Sequence, residues 1–102
     1  MTPHKLYIVL ASALDSGLKM AQAVHAAFLF GEEYPHLKDY WYLESNNVAV
    51  LQVDDLPDLA QTLEKHGLRI SRFHEPDMGN ALTAIAVEPK GWRKLSSLPL
   101  AS

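Results

Sequence analysis

The sequence predicts an α/β protein: a three-layer α/β/α sandwich around a four-stranded mixed sheet of order 2-1-4-3, with strand four antiparallel. Three observations lead there. Apolar runs alternate with helix-patterned segments in the order β-α-α-β-α-β-β. Helical connections make strands one, two and three parallel, with right-handed crossovers. The short turn Glu75–Asn80 then brings strand four back antiparallel to strand three. Placing the two smoothest apolar strands in the middle gives the order.

The elements follow from local patterns. Lys5 to Ala11, KLYIVLA, is a continuous apolar run without alternation, as expected of a strand buried on both faces. Leu14 to Gly17 is a turn in which Asp15 or Ser16 caps the next helix. That helix is expected from Leu18 to Phe30, stopping at Gly31, a favourable residue just past a helix end. A short second helix is expected from His36 to Leu43, leaving Tyr40, Trp41 and Tyr42 partly exposed. Asn46-Asn47 is a turn signal, and Val48 to Val53 a second strand. Asp55 caps a third helix, with Asp58 in a box-like position. Leu56, Leu59, Ala60 and Leu63 form its apolar stripe, and Gly67 ends it. Leu68 to His74 mixes polar and apolar residues like an edge strand. Ala81 to Val87 is a small-residue apolar strand suited to the centre of a sheet. Beyond Pro89 and Gly91, Trp92, Leu95 and Leu98 are expected to pack back.

Composition narrows the class. A chain of 102 residues, 48% of them apolar, fits one globular domain with a single core. It contains no cysteine, which excludes disulfides and thiolate metal sites. The five histidines, His4, His25, His36, His66 and His74, have no metal-ligand spacing, so neither a metal nor another cofactor is expected. No glycine fingerprint for a nucleotide phosphate is present. No apolar run approaches the roughly 20 residues that cross a bilayer, and the polar start MTPHK does not read as a signal peptide. A cytoplasmic protein with no membrane partner is the expectation. The net charge of −3 disfavours broad contact with nucleic acid, so any such contact needs a local patch.

The chemistry concentrates between Asp15 and Gly31, DSGLKMAQAVHAAFLFG. Lys19, Gln22 and His25 are spaced i, i+3, i+6 and so lie near one side of a helix. Ala21, Ala23, Ala26 and Ala27 leave little bulk, which permits close approach to a sheet. Lys19 near a helix start opposes the macrodipole, which favours acids there. The predicted topology brings the start of this helix, the Glu75–Asn80 turn and Thr83 to one sheet edge, the kind of crevice that open α/β sheets use for ligands.

Ala21-Gln22-x-x-His25-Ala26, following a strand and a glycine-bearing turn, is similar to the AQ-x-x-HA helix of the peptidyl-tRNA hydrolase type 2 family. The final strand, with Thr83 before Ala84-Ile85-Ala86-Val87 and then Pro89, resembles that family's T-x-x-x-I-x-P ending. The order of elements extends the resemblance over nearly the whole chain. It implies hydrolysis of the ester between a peptide and the terminal ribose of tRNA. The family's lysine position falls at Leu18, one residue before Lys19; a one-residue shift turns a helical side chain by about 100°. The family's aspartate is represented by Asp77 or Glu75, in a shorter turn without arginine. The resemblance therefore implies Lys19, His25 and Asp77 as catalytic residues, and Gln22, Glu75 and Thr83 as substrate-binding ones. A second reading stays open: a non-catalytic binding or regulatory module with the same fold, associating through exposed aromatic residues or as a homodimer. The shifted lysine, the shortened turn and the acidic charge motivate it.

Overall fold

The computed structural model describes residues 4–102. Residues 1–3, part of the polar start expected to carry no signal peptide, lie outside the described residues. The sheet consists of β1 (Lys5–Ala11), β2 (Asn47–Val53), β3 (Ile70–Glu75) and β4 (Ala81–Val87) in the order β2-β1-β4-β3. β1 runs parallel to β2 and antiparallel to β4, and β3 runs antiparallel to β4. The predicted fold class and strand order are those observed.

The helices are α1 (Ser16–Glu33), α2 (Pro35–Glu44), α3 (Leu56–Lys65) and a short α4 (Trp92–Leu95). Alternate β1 residues face opposite layers. Leu6, Ile8 and Leu10 join Ala84 and Ala86 beneath Ala26 and Phe30 of α1. Tyr7 and Val9 join Ile85 and Val87 against Leu56, Ala60 and Leu63 of α3. Five consecutive β1 residues, Leu6 to Leu10, are therefore buried. Strand one lacks alternation because both of its faces are covered.

Three boundaries differ from expectation by two residues or more, each for a local reason. α1 begins at Ser16 because the Asp15 carboxylate accepts the Leu18 N–H at 2.9 Å. It runs through Gly31 to Glu33, and the Tyr34 N–H donates to the Phe30 carbonyl at 2.8 Å. The stop comes from Pro35, which disfavours helical backbone at Tyr34 (φ −132°, ψ 64°) and then opens α2. β3 begins two residues later than the apolar pattern suggested. The end of α3 uses the intervening amide: Gly67 N–H donates to the Glu64 carbonyl and Leu68 N–H to the Leu63 carbonyl. This paired closure, with Gly67 at φ +77°, holds Leu68 out of the ladder.

Tyr40 and Tyr42 of α2 are exposed, and Trp41 is half-buried, its indole N–H donating to the Asn47 carbonyl. The chain after β4 returns as expected: Leu95 is fully buried, with Trp92 and Leu98 packed on the same layer. Among the described residues no helix is long and apolar enough to cross a membrane.

Gly91 makes this return possible. A Cβ there would lie 2.8 Å from Cγ1 of Val87 and 3.4 Å from Cδ1 of Leu68. Val87 is fully buried and has no room to yield. We expect Gly91→Ala to cost about 1–3 kcal/mol through overpacking. Urea unfolding of the two proteins checks this; equal midpoints would refute the close packing.

Candidate functional site

The first half of α1 lies over the end of the sheet where β1, β2 and β3 finish and β4 starts. Its alanines bring it close, and Lys19, Gln22, Ala26 and Phe30 are its buried residues. The expected convergence of the α1 start, the Glu75–Asn80 turn and Thr83 is present in hydrogen bonds.

Gln22 is the junction, at 1% exposure. Its amide oxygen accepts the Thr83 hydroxyl at 2.5 Å, and its Nε2 donates to Glu75 Oε1 at 2.8 Å. The other Glu75 oxygen accepts the Asp77 N–H at 3.2 Å. Glu75 thereby caps a 3-10 turn at Pro76–Met78, which Gly79 closes in the left-handed region. Bonds to the Gln22 amide, then to the Asp77 N–H, hold the Glu75 carboxyl below the usual carboxylate range; burial opposes this and the nearby His25 adds to it weakly.

Lys19 lies on the other flank, toward β2. It is 7% exposed, and its ammonium donates to Gln52 Oε1 at 2.9 Å and to the Ser102 main-chain oxygen at 3.2 Å. Among the described residues no carboxylate side chain pairs with it. An ammonium has three donors, so one remains. His25 is exposed at the rim, its ring stacked on Phe73 with centroids 4.7 Å apart. The Asp77 side chain is exposed and makes no hydrogen bond among the described residues.

The six residues singled out from sequence therefore form two groups and a rim. Gln22, Glu75 and Thr83 make one bonded chain, which Asp77 joins only through its backbone. Lys19 stands apart with Gln52, and no hydrogen bond links it to the turn. Sequence reasoning missed Gln52, Phe73 and Ser102. Gln52 left a signal, as the only strongly polar side chain in VAVLQV. Phe73 left none, because a strand phenylalanine is ordinarily core.

A groove of about 520 Å³ opens beside Lys19, walled by Leu10, Ala23, Val24, Val50 and Ala101. Among the described residues no group of three or more His, Asp or Glu side chains is placed to hold a metal ion. No protein-family model matches the chain, and a search of curated proteins returned no match.

Two expectations follow from this geometry. Thr83→Val strips a buried amide oxygen of its donor while keeping side-chain volume, and should cost about 1–3 kcal/mol in chemical denaturation. Glu75 is held ionised more easily folded than unfolded. Its stabilising contribution is whole above the ordinary glutamate value of about 4.3 and is lost as pH falls through the lower folded value. Melting temperatures followed from about pH 7 to pH 3 should therefore fall more steeply for the unsubstituted chain than for Glu75→Gln. Parallel curves would show that the Glu75 contacts carry no linkage.

Proposed function

We propose that the chain is an ester hydrolase of the peptidyl-tRNA hydrolase type 2 kind, cleaving the bond between a peptide and the terminal ribose of tRNA. One observation carries the reading. A buried cation, Lys19, and a buried amide that fixes a carboxylate, Gln22, stand three residues apart on one helix over one sheet edge. Ester hydrolysis needs a donor at the oxygen that becomes negative and a base for the attacking water; Lys19 is the donor, and Glu75, held by Gln22, fixes the turn that carries the Asp77 carboxylate.

The roles follow from the surroundings. The Lys19 ammonium polarises the ester carbonyl and stabilises the oxyanion. The exposed Asp77 carboxylate takes the proton of the attacking water. The new C–O bond forms, the bond to the ribose oxygen breaks, and that oxygen receives a proton, leaving a peptide acid and a tRNA hydroxyl. His25 at the rim supplies a hydrogen-bond donor to substrate. Glu75, with both oxygens engaged, is a poor base; it and Thr83 hold Gln22 rigid. No cofactor enters the scheme.

Release of free tRNA from purified N-blocked aminoacyl-tRNA tests this. We expect turnover by the native chain, reduced by on the order of 100-fold or more in Asp77→Ala and in Lys19→Ala while circular dichroism still reports a folded protein. Undiminished turnover in both variants would overturn the assignment.

The second reading, a binding module without catalysis, draws on the outer face of α1. Met20, Val24 and Phe28, at i, i+4 and i+8, are 70%, 54% and 75% exposed. A helix apolar on both faces fits a covered surface, such as a homodimer contact. A folded native chain that releases no tRNA would favour it.

A further inference from the structure

The chain beyond Leu98 is held differently from the chain before it. Up to Leu98, apolar side chains pack into the α3 layer. From Pro99 onward the segment lies along the open edge of β2, whose one neighbouring strand in the sheet among the described residues is β1. The Gln52 N–H donates to the Pro99 carbonyl at 3.1 Å, and the Ala101 N–H donates to the Val50 carbonyl at 2.9 Å. Leu51 and Leu100 form the antiparallel bridge between them. Side chains contribute little: Leu100 is 72% exposed, and only the Ala101 methyl packs against the α1 layer. At Ser102 the segment bends toward α1. Its N–H donates to Gln52 Oε1 at 3.2 Å, and its main-chain oxygen accepts from Lys19 Nζ at 3.2 Å.

These contacts engage an extended main chain and a main-chain oxygen beside Lys19. Strand addition of this kind draws its affinity from main-chain hydrogen bonds. We propose that the β2 edge, Gln52 and Lys19 form a binding site for an extended peptide with a main-chain carbonyl resting on the Lys19 ammonium, and that Pro99–Ser102 occupies this site in cis. Resting on the hydrolase reading above, the site takes the acyl half of the substrate. The peptide pairs with β2, and the carbonyl on Lys19 is the ester carbonyl. A substrate class of varied peptide sequence requires recognition through the main chain, which this edge provides. The apolar groove walled by Ala23, Val24 and Val50 accepts a side chain of the bound peptide without selecting its identity. The chain's own segment and an incoming peptide use the same donors and acceptors, so they exclude one another.

The test uses the full chain and the blocked pentapeptide acetyl-Leu-Pro-Leu-Ala-Ser-amide, fluorescently labelled, in a polarisation assay. Ala101→Pro removes the N–H that donates to Val50 and loosens the segment while leaving Leu95 and Leu98 in place. We expect this variant to bind the peptide about tenfold or more tightly than the unsubstituted chain, because the competitor held in cis is released. Adding Lys19→Met should remove about tenfold of that gain. Equal affinity in all three proteins, or no binding, would overturn the site. A measurement on the unsubstituted protein does not depend on the variants folding. Saturating peptide should strip the Ala101 amide of its protection from hydrogen exchange while the Gln52 amide stays protected; unchanged Ala101 exchange refutes the proposal. Binding is read without tRNA, so its failure leaves the cleavage result standing, and binding without cleavage places the fault in the chemistry.

Discussion

The structure depends on one buried amide. Gln22 lies beneath α1 with both ends of its side chain in use, the oxygen by Thr83 and the nitrogen by Glu75. Burying a primary amide without partners costs several kcal/mol, so α1 settles only where β4 and the end of β3 present those groups. The hydrophobic effect places α1 on the sheet but has no direction, and a run of alanines slides easily. The Gln22 bonds fix its position along the strands and its rotation. Once they are made, Lys19 one turn earlier is carried to the β2 side, and His25 one turn later to the rim over Phe73.

Fixing the helix in this way divides the crevice. On one flank a carboxylate is held ionised by an amide and a backbone N–H, with the Asp77 carboxylate unengaged in the same turn. On the other flank a cation is held by the Gln52 amide oxygen and the Ser102 main-chain oxygen. An ion pair across the crevice would neutralise both. Because Lys19 is tied to Gln52 and Ser102, the charges remain apart. An amide oxygen such as that of Gln52 satisfies a donor of the ammonium without cancelling its charge, as the proposed oxyanion role requires. Such an arrangement suits a site better than a core, where an uncancelled charge would only destabilise.

The frame of this fold was legible in the residues. The unbroken apolar run of β1, the stripe Leu56–Leu59–Ala60–Leu63 and the short turn before β4 each follow from local physics, and together they fix the strand order. Helix ends were less legible, since Gly31 reads as a stop only when Pro35 is ignored. Within the site, the Gln22–Glu75–Thr83 chain was foreshadowed by which elements converge. The separation of Lys19 was not. That separation depends on Gln52, a lone glutamine in a strand whose face cannot be read from sequence, and on a segment whose edge pairing leaves no periodic pattern. Main-chain hydrogen bonds have no residue signature, so a strand added at an edge is invisible until β2 is known to lie at that edge.

The edge position also explains why the segment after Leu98 has its particular composition. An open edge beside an apolar groove invites pairing with another chain. Pro99, without an N–H, offers its carbonyl to Gln52 while having no donor to turn toward solvent or a further strand. The small side chains of Ala101 and Ser102 let the backbone bend toward α1 and reach Lys19. A bulkier residue at 101 would fill the groove instead of bordering it. Cover of this kind is shallow, made of few main-chain bonds with little burial. It therefore lies at the low-stability end of the molecule, where local opening costs far less than unfolding. An edge closed so lightly is protected against indiscriminate pairing and still open to a ligand that offers the same backbone contacts at higher affinity.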